Sequence, residues 1–316
     1  MKLIIYMPAM NEEENIQSVI HLLPETIAGI DQIEYLVVDD GSTDQTVEIS
    51  KSLGAHVVSH GRNRGVGAAF QSAVQYALEN DADILVSIDA DGQFDAGEIP
   101  KLIEPILEYQ AEMVIGNRFV NNRPESMPKL KYWGNRKLAS LVSYLCNQKF
   151  QDVSCGFRAY NREAMMRLNI FGNFTYTHET ILSLVFQGLR VYEQPIKVFY
   201  DPERKSRVAA STLHYGVQTS KIILRVILDY QPIRMFGGLG TICLVIGIIF
   251  EIFLIVHYFI SGQFTPFKSF GFIGLGFIIF GMLVLLIALI SDMLNRIRKN
   301  QDRILFEIKK STFRKE

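Results

Sequence analysis

Asp89-Ala90-Asp91 sets two carboxylates at i and i+2, directly after the apolar run Ile84-Leu85-Val86-Ser87-Ile88. On a turn leaving a strand, acids so spaced reach one divalent cation, and hard oxygen donors select Mg²⁺ or Mn²⁺. Gly92 permits the tight turn and Gln93 adds a neutral oxygen. An EF-hand start is excluded, because its sixth position needs glycine and Phe94 stands there. Alone, Asp-x-Asp is as readily a solvated surface turn. Two other polar turns also close apolar runs, Pro8-Ala9-Met10-Asn11-Glu12 and Asp39-Asp40-Gly41-Ser42. Three such turns converge on one crevice when their strands share a parallel sheet. Gly65-Val66-Gly67-Ala68-Ala69-Phe70 begins like a dinucleotide fingerprint, but Phe70 replaces the third glycine and no clear strand directly precedes it. Gly65 and Gly67 are expected instead to shape a loop entering a helix, with Arg62 and Arg64 close to phosphates.

The elements that must position these residues alternate between strand and helix. Strands are expected at 3–7, 35–40, 56–59, 84–89 and 112–117, and a closing strand at 191–200. A helix capped by Ser42 or Thr43 should stop before Gly54, and 67–78 has helical periodicity. Strands alternating with helices imply an α/β fold with a mostly parallel sheet covered on both faces. Ligands of such sheets sit beyond the strand C-termini, where the acidic turns fall. Residues 119–210 are read as basic loops around Lys129, Lys131, Arg136 and Lys137, a helix at 137–147, and the segment Gln151-Asp152-Val153-Ser154-Cys155-Gly156-Phe157-Arg158.

Thirty-two Lys+Arg against 33 Asp+Glu give a net charge of −1, which excludes a strongly basic nucleic-acid binder. The hydrophobic fraction of 48% is high because one block, 235–291, carries only Glu251 and Lys268 as charges. Residues 235–260 and 269–291 are each long enough to span a bilayer, which takes ~20 apolar residues. The short link between them makes a hairpin with both ends on one side. Arg296, Arg298, Lys299, Arg303, Lys309, Lys310, Arg314 and Lys315 follow the second span, whereas the tip has only Lys268. By the positive-inside rule both termini are cytoplasmic. Residues 211–232 read as an amphipathic helix at the membrane surface, a core-packed helix being the alternative. Glu251 is costly in lipid and should pair within an oligomer or face a neighbouring helix. The tail 292–316, apolar at Leu294, Ile297, Ile304, Leu305 and Ile308, could join subunits or lie on lipid. Cys146, Cys155 and Cys243 form no spaced pair, which fits a reducing compartment. The first residues turn acidic too soon for a signal peptide, so residues 1–210 are expected to form a cytoplasmic domain.

Pro8-Ala9-x-Asn11-Glu12, Asp39-Asp40-Gly41-Ser42-x-Asp44, Asn63-x-Gly65-x-Gly67, Asp89-Ala90-Asp91-Gly92-Gln93 and Gly116-Asn117-Arg118 occur in that order. As an ordered set they resemble the family-2 inverting glycosyltransferases of the dolichyl-phosphate mannose synthase and polyprenyl-phosphate glucosyltransferase group. The resemblance covers roughly residues 1–200. It implies an A-type, Rossmann-like glycosyltransferase domain beside the two-helix transmembrane hairpin. It also implies a nucleotide-sugar pocket at Pro8, Ala9, Asn11, Glu12, Asp40, Arg64, Gly67, Ala90 and Arg118, with Asp89, Asp91 and Gln93 holding Mg²⁺ or Mn²⁺. Asp152 and Glu179 match the family's later acidic positions near the sugar. Where the family carries Arg-x-x-Gly-x-Ser-Lys, this chain has Arg204-Lys205-Ser206-Arg207-Val208-Ala209-Ala210-Ser211-Thr212. Arg118, Arg204, Lys205, Arg207 and Ser211 are the candidates to meet an acceptor phosphate, positive-inside charge being the alternative for the basic residues from 204 on.

The activity implied is metal-dependent transfer of a hexose from a UDP-glucose or GDP-mannose type donor to a membrane polyprenyl or dolichyl phosphate. A phosphate acceptor is already anionic near neutral pH, with a second pKa of about 6, so no strong base is needed. The competing activity is transfer to a sugar hydroxyl, which needs a base. Glu179 or Asp152 would supply it, but no Gln-x-x-Arg-Trp motif is present.

Overall fold

β1 (Lys2–Ala9), β2 (Gln32–Asp39), β4 (Ile84–Ser87) and β5 (Met113–Asn117) carry near-continuous apolar runs. Leu3 to Met7, Ile84 to Val86 and Met113 to Ile115 have no solvent exposure, as expected for strands covered on both faces. Each such side chain contributes ~1.5–3 kcal/mol by leaving water. The computed structural model describes residues 1–120, 124, 127, 129–169, 176–198, 221, 224, 228 and 232–314.

With β3 (His56–Ser59), β6 (Arg158–Asn161) and β7 (Val191–Pro195), these strands form one seven-stranded sheet in the order β3-β2-β1-β4-β6-β5-β7. β6 alone runs antiparallel to its neighbours. Reversed between β4 and β5, it brings the segment that precedes it to the edge where those strands end. Sequence periodicity did not reveal this strand, because four residues are too few to show alternation.

α1 (Ile16–Leu22), α2 (Thr46–Ser52), α3 (Val66–Glu79), α4 (Ile99–Leu107), α5 (Lys129–Cys146), α6 (Arg162–Arg167) and α7 (Thr177–Phe186) complete the first unit. α2 starts later than Ser42 or Thr43. The Asp44 carboxylate accepts from the Thr46 backbone N–H (3.0 Å) and hydroxyl, while the Ser42 hydroxyl accepts from the Asn11 N–H (2.9 Å). The basic residues 129–137 lie on α5 rather than in loops. Gly134 and the cluster of cations mimic a loop, but apolar Ala139, Val142 and Leu145 keep a helical seam buried.

The second unit, Leu224–Ile304, contains α8 (Gly238–Ser261), entered through a π-helical turn at Ile233–Gly237, and most of α9 (Lys268–Thr312). Both helices are long and apolar enough to cross a membrane. Most of their large apolar side chains face outward, with Phe259 and Ile260 over 80% exposed, unlike helices of a soluble core. Small residues hold the pair together. A Cβ on Gly247 would stand 2.7 Å from the Gly274 carbonyl, and one on Gly281 2.9 Å from that of Gly240. Glu251 faces the neighbouring helix, its Oε1 2.9 Å from where a Cβ on Gly274 would stand. α9 runs unbroken into the basic tail, and residues 305–316 belong to the first unit. There Lys309 donates to the Leu168 carbonyl (2.9 Å), and the Arg167 guanidinium covers the Phe306 ring at 4.4 Å.

Candidate active site

Strand register brings the predicted turns together. Ala9 pairs with Asp39, and Tyr6 with Ser87, so the turns that follow β1, β2 and β4 leave the sheet at the same edge. Asp89 lies two residues beyond β4, partly accessible to solvent, and Asp91 follows in the turn. Burial and the Asp91 charge push the Asp89 carboxyl up to about 7. Two acids that hinder each other's ionisation fit a site completed by a cation. The Asp91 carboxylate also accepts from the Gln93 N–H (3.1 Å), which fixes the turn. Gly156, in the segment before β6, closes the other side. A Cβ there would lie 3.0 Å from the Asp89 carboxylate, which would have to shift by a few tenths of an ångström to admit it.

Among the described residues no cluster of three or more His, Cys, Asp or Glu side chains forms a metal cage. Two carboxylates and an amide oxygen nonetheless suit Mg²⁺ or Mn²⁺, which take much of their coordination from substrate phosphates and water. A cation held by these residues would have to displace the Asp89 proton. Mn²⁺ affinity should therefore fall roughly tenfold per pH unit below about 7 and level off above it. For the metal-free protein the sign is reversed: a raised carboxyl binds its proton more tightly folded than unfolded, so this group's contribution to stability declines as pH climbs from about 4 to about 7. Titrating Mn²⁺ by electron paramagnetic resonance from pH 5 to 8 checks this; a flat profile would contradict it.

The turn after β2 is a scaffold. The Asp40 carboxylate accepts from the backbone N–H groups of Arg64 and Gly65, both at 2.8 Å. His60 bridges it (2.8 Å) to Ser72 (2.9 Å). Asp40 thus holds the 63–65 loop and the start of α3, where Gly67 is buried in the first turn. Asp39 accepts from the Ser42 N–H and the Ser59 hydroxyl. Gly41 is required here. Its φ is +91°, and a Cβ would meet the Arg62 carbonyl carbon at 2.7 Å. Asn11, at φ +52°, accepts from the Thr43 N–H (2.8 Å), which ties the first turn to the second. Ala9, Ala90 and Glu12 are buried, Pro8 is half-buried, and the Arg64 side chain is exposed.

Arg118 and Asp152 are locked to each other. Arg118 Nε and Nη2 donate to the two carboxylate oxygens at 2.5 and 2.8 Å, and Nη2 also donates to Ser154 Oγ (2.9 Å). Asp152 has no solvent exposure, and the guanidinium charge holds its carboxyl below the usual range against the cost of burial. Neither the pairing nor the role of Ser154 was legible from spacing, since 34 residues separate the partners. Arg158, also fully buried, donates to the carbonyls of Cys155, Val153 and Thr177. It pins the 152–157 segment to the start of α7, where Glu179 sits in the first turn with 7% exposure. Arg204, Lys205, Arg207 and Ser211, and nearly all of the expected surface helix at 211–232, lie outside the described residues.

Residues 4–168, just over half the chain, match glycosyl transferase family 2. The chain belongs to that family. The matched range includes all five ordered motifs and the antiparallel strand β6, with the preceding segment that carries Asp152 and Gly156. A UDP-N-acetylglucosamine–dolichyl-phosphate N-acetylglucosaminyltransferase from Methanococcus voltae is 32% identical over 217 residues, covering 62% of this chain and 85% of that one. A dolichyl-phosphate hexose transferase from Haloferax volcanii is 29% identical over 231 residues, covering 72% and 94%. Among solved structures, glucosyl-3-phosphoglycerate synthase from Mycobacterium tuberculosis, in complex with Mn²⁺, UDP and glucosyl-3-phosphoglycerate, superposes with a TM-score of 0.53. It is 20% identical, over 72% of this chain and 78% of that one. The first unit is thus an A-type glycosyltransferase fold, and the protein is a family-2 glycosyltransferase.

Proposed function

We propose that this glycosyltransferase moves a hexose, with inversion, from a UDP-glucose or GDP-mannose type donor to a polyprenyl or dolichyl phosphate. The observation that carries the reading is the pair Asp89 and Asp91 in the turn after β4, at the sheet edge where β1 and β2 also end, with Gly156 against the Asp89 carboxylate. Relatives named for dolichyl-phosphate acceptors, and a fold neighbour in complex with Mn²⁺ and UDP, support it.

Asp89, Asp91 and Gln93 are the residues that would hold Mg²⁺ or Mn²⁺. When bound, the cation offsets the charge that builds on the departing diphosphate. The turns at Pro8–Glu12 and Asp40, with the loop that Asp40 holds around Arg64 and Gly67, border the donor's nucleotide. Arg118 is aimed by Asp152 and Ser154, and presents a fixed cation to a phosphate without the entropy cost of ordering a free side chain. Asp152 acts through Arg118 rather than on the sugar. Arg204, Lys205, Arg207 and Ser211 receive the lipid phosphate. Arg207→Ala should raise the KM for the lipid acceptor while leaving that for the donor unchanged; an unchanged acceptor KM would reassign Arg207 to charge anchoring.

The geometry weighs against a sugar hydroxyl as acceptor. That reaction needs a base, and a carboxylate buried against arginine with a depressed pKa is a weak one. Glu179 is the remaining candidate. The hairpin then has a purpose: withdrawing a polyprenyl chain from lipid costs ~0.8 kcal/mol per CH₂, so the enzyme must come to the bilayer. The cationic tail supports a cytoplasmic side for both termini and the catalytic unit. Offering polyprenyl phosphate and a saccharide acceptor in separate reactions tests the reading. Transfer to the phosphate alone is expected, and transfer to the saccharide alone would replace this function with the hydroxyl reaction.

A further inference from the structure

Glu193 is a half-buried carboxyl on β7 that the proposed chemistry does not use. β7 lies at the end of the sheet beside β5, and Glu193 pairs in register with Ile115, just ahead of Arg118. Its Oε1 accepts from the backbone N–H groups of Gln151 and Asp152, both at 2.8 Å, and its Oε2 from that of Gln151 at 3.0 Å. Neighbouring ties run the same way. The Gln148 amide donates to the Val191 carbonyl (2.6 Å), and the Asn117 amide to the Gln151 side-chain oxygen (3.5 Å). Residues 148–157 belong to no helix or strand, so these ties replace the ladder that would otherwise fix the backbone. Burial, helped by the Asp152 charge, pushes the Glu193 carboxyl up to about 7 against the two N–H groups and Arg136. In either protonation state one carboxyl oxygen remains free to accept, so the segment is held by an acceptor rather than by a charge.

We propose that Glu193 is a positioning residue for sugar transfer: by fixing the backbone of Gln151 and Asp152, it fixes the carboxylate that aims Arg118. The relay runs through three links. β7 carries Glu193, Glu193 holds the Asp152 main chain, and the two Asp152 oxygens hold the Arg118 guanidinium at 2.5 and 2.8 Å. A carboxylate orients a guanidinium plane only as well as its own main chain is fixed. The inference rests on Arg118 being the cation presented to a phosphate, and it names what keeps that cation's partner in place.

Full-length enzyme carrying Glu193→Ala should transfer sugar roughly tenfold to a hundredfold more slowly, the scale of misplacing a catalytic group by about an ångström. Glu193→Gln keeps an oxygen that accepts from both N–H groups, so its rate should stay within about threefold of the parent's. The decisive background is Arg118→Lys, which keeps a charge against Asp152 but has no planar fork to aim. There Glu193→Ala should slow transfer by less than about twofold, whereas a general loosening of the fold would multiply with the lysine change. Hydrogen exchange read by mass spectrometry follows the brace without turnover. Amides within 148–157 should exchange faster in Glu193→Ala and at the parent's rate in Glu193→Gln. Equal slowing by Glu193→Ala in the parent and Arg118→Lys backgrounds would overturn the proposal. So would unaltered exchange in Glu193→Ala, or a Glu193→Gln enzyme as slow as the alanine variant. Rates are read with the acceptor that the parent uses, polyprenyl phosphate or a saccharide. A parent that glycosylates only the saccharide rejects the acceptor assignment, while the two backgrounds still decide the role of Glu193, so the two failures are distinguishable.

Discussion

Asp91→Ala should lower sugar transfer by roughly a thousandfold or more, the scale of losing the electrostatic stabilisation of a leaving group. Excess EDTA should do the same to the unaltered enzyme. The fold should survive. Asp91 is partly exposed in a turn beyond β4, and removing it relieves the Asp89 carboxyl of a neighbouring charge. Metal-free thermal stability should therefore stay level or rise, while the Mn²⁺-induced increase in Tm is lost. That combination separates a metal-site defect from unfolding. An Asp91→Ala enzyme that turns over at the original rate, or full activity in chelator, would remove the metal assignment.

Asp152→Ala should be the most destabilising single change in the site. Deleting one member of a buried ion pair leaves the other charge uncompensated and costs about 3–5 kcal/mol. Here the residue abandoned is Arg118, which would also lose its aim (its Ser154 contact alone does not fix the guanidinium plane). Urea denaturation at pH 7 measures the loss. The pH dependence has a definite sign. Asp152 has a depressed carboxyl, so its contribution is complete above the unfolded value of about 3.9 and fades as pH falls through the lower folded value. The stability gap between the parent and Asp152→Asn should thus narrow only under strongly acidic conditions. Serine at 154 offers a second check. Ser154→Ala should leave stability within about 1 kcal/mol, the usual net worth of one hydrogen bond, while reducing transfer through a looser Arg118. A stable Asp152→Ala protein with normal transfer would show that Arg118 needs no partner.

Local signals in the sequence revealed the parallel half of the sheet. β1, β2 and β4 are long or purely apolar runs closed by polar turns, so the strand ends and the acids on them could be placed together. β6 could not. It is short, its direction is fixed by pairing on both sides, and Arg158 on it is buried by carbonyls from residues 153, 155 and 177. The Arg118–Asp152 lock has the same origin, because it exists only once β6 is reversed. The second half of α5 matches the helix expected at 137–147, while its first half looks like loop for a different reason. Its cations and Gly134 look like a loop to a rule that treats polarity as exposure, yet a helix needs only one apolar stripe. Asp40 has a task that motif reasoning does not reveal: its carboxylate holds the backbone of the 64–65 loop.

The central assignment is transfer of a hexose to a lipid phosphate, and partition of label tests it most directly. Purified full-length protein in vesicles containing polyprenyl phosphate would be given UDP- and GDP-hexoses, each tritiated in the sugar, with Mn²⁺ or Mg²⁺. The expected result is label entering the organic phase with one donor, only when both the cation and the phosphorylated lipid are present. Organic-phase label that appears equally with unphosphorylated polyprenol, or no lipid-linked label with any donor while a water-soluble saccharide is elongated, would contradict it.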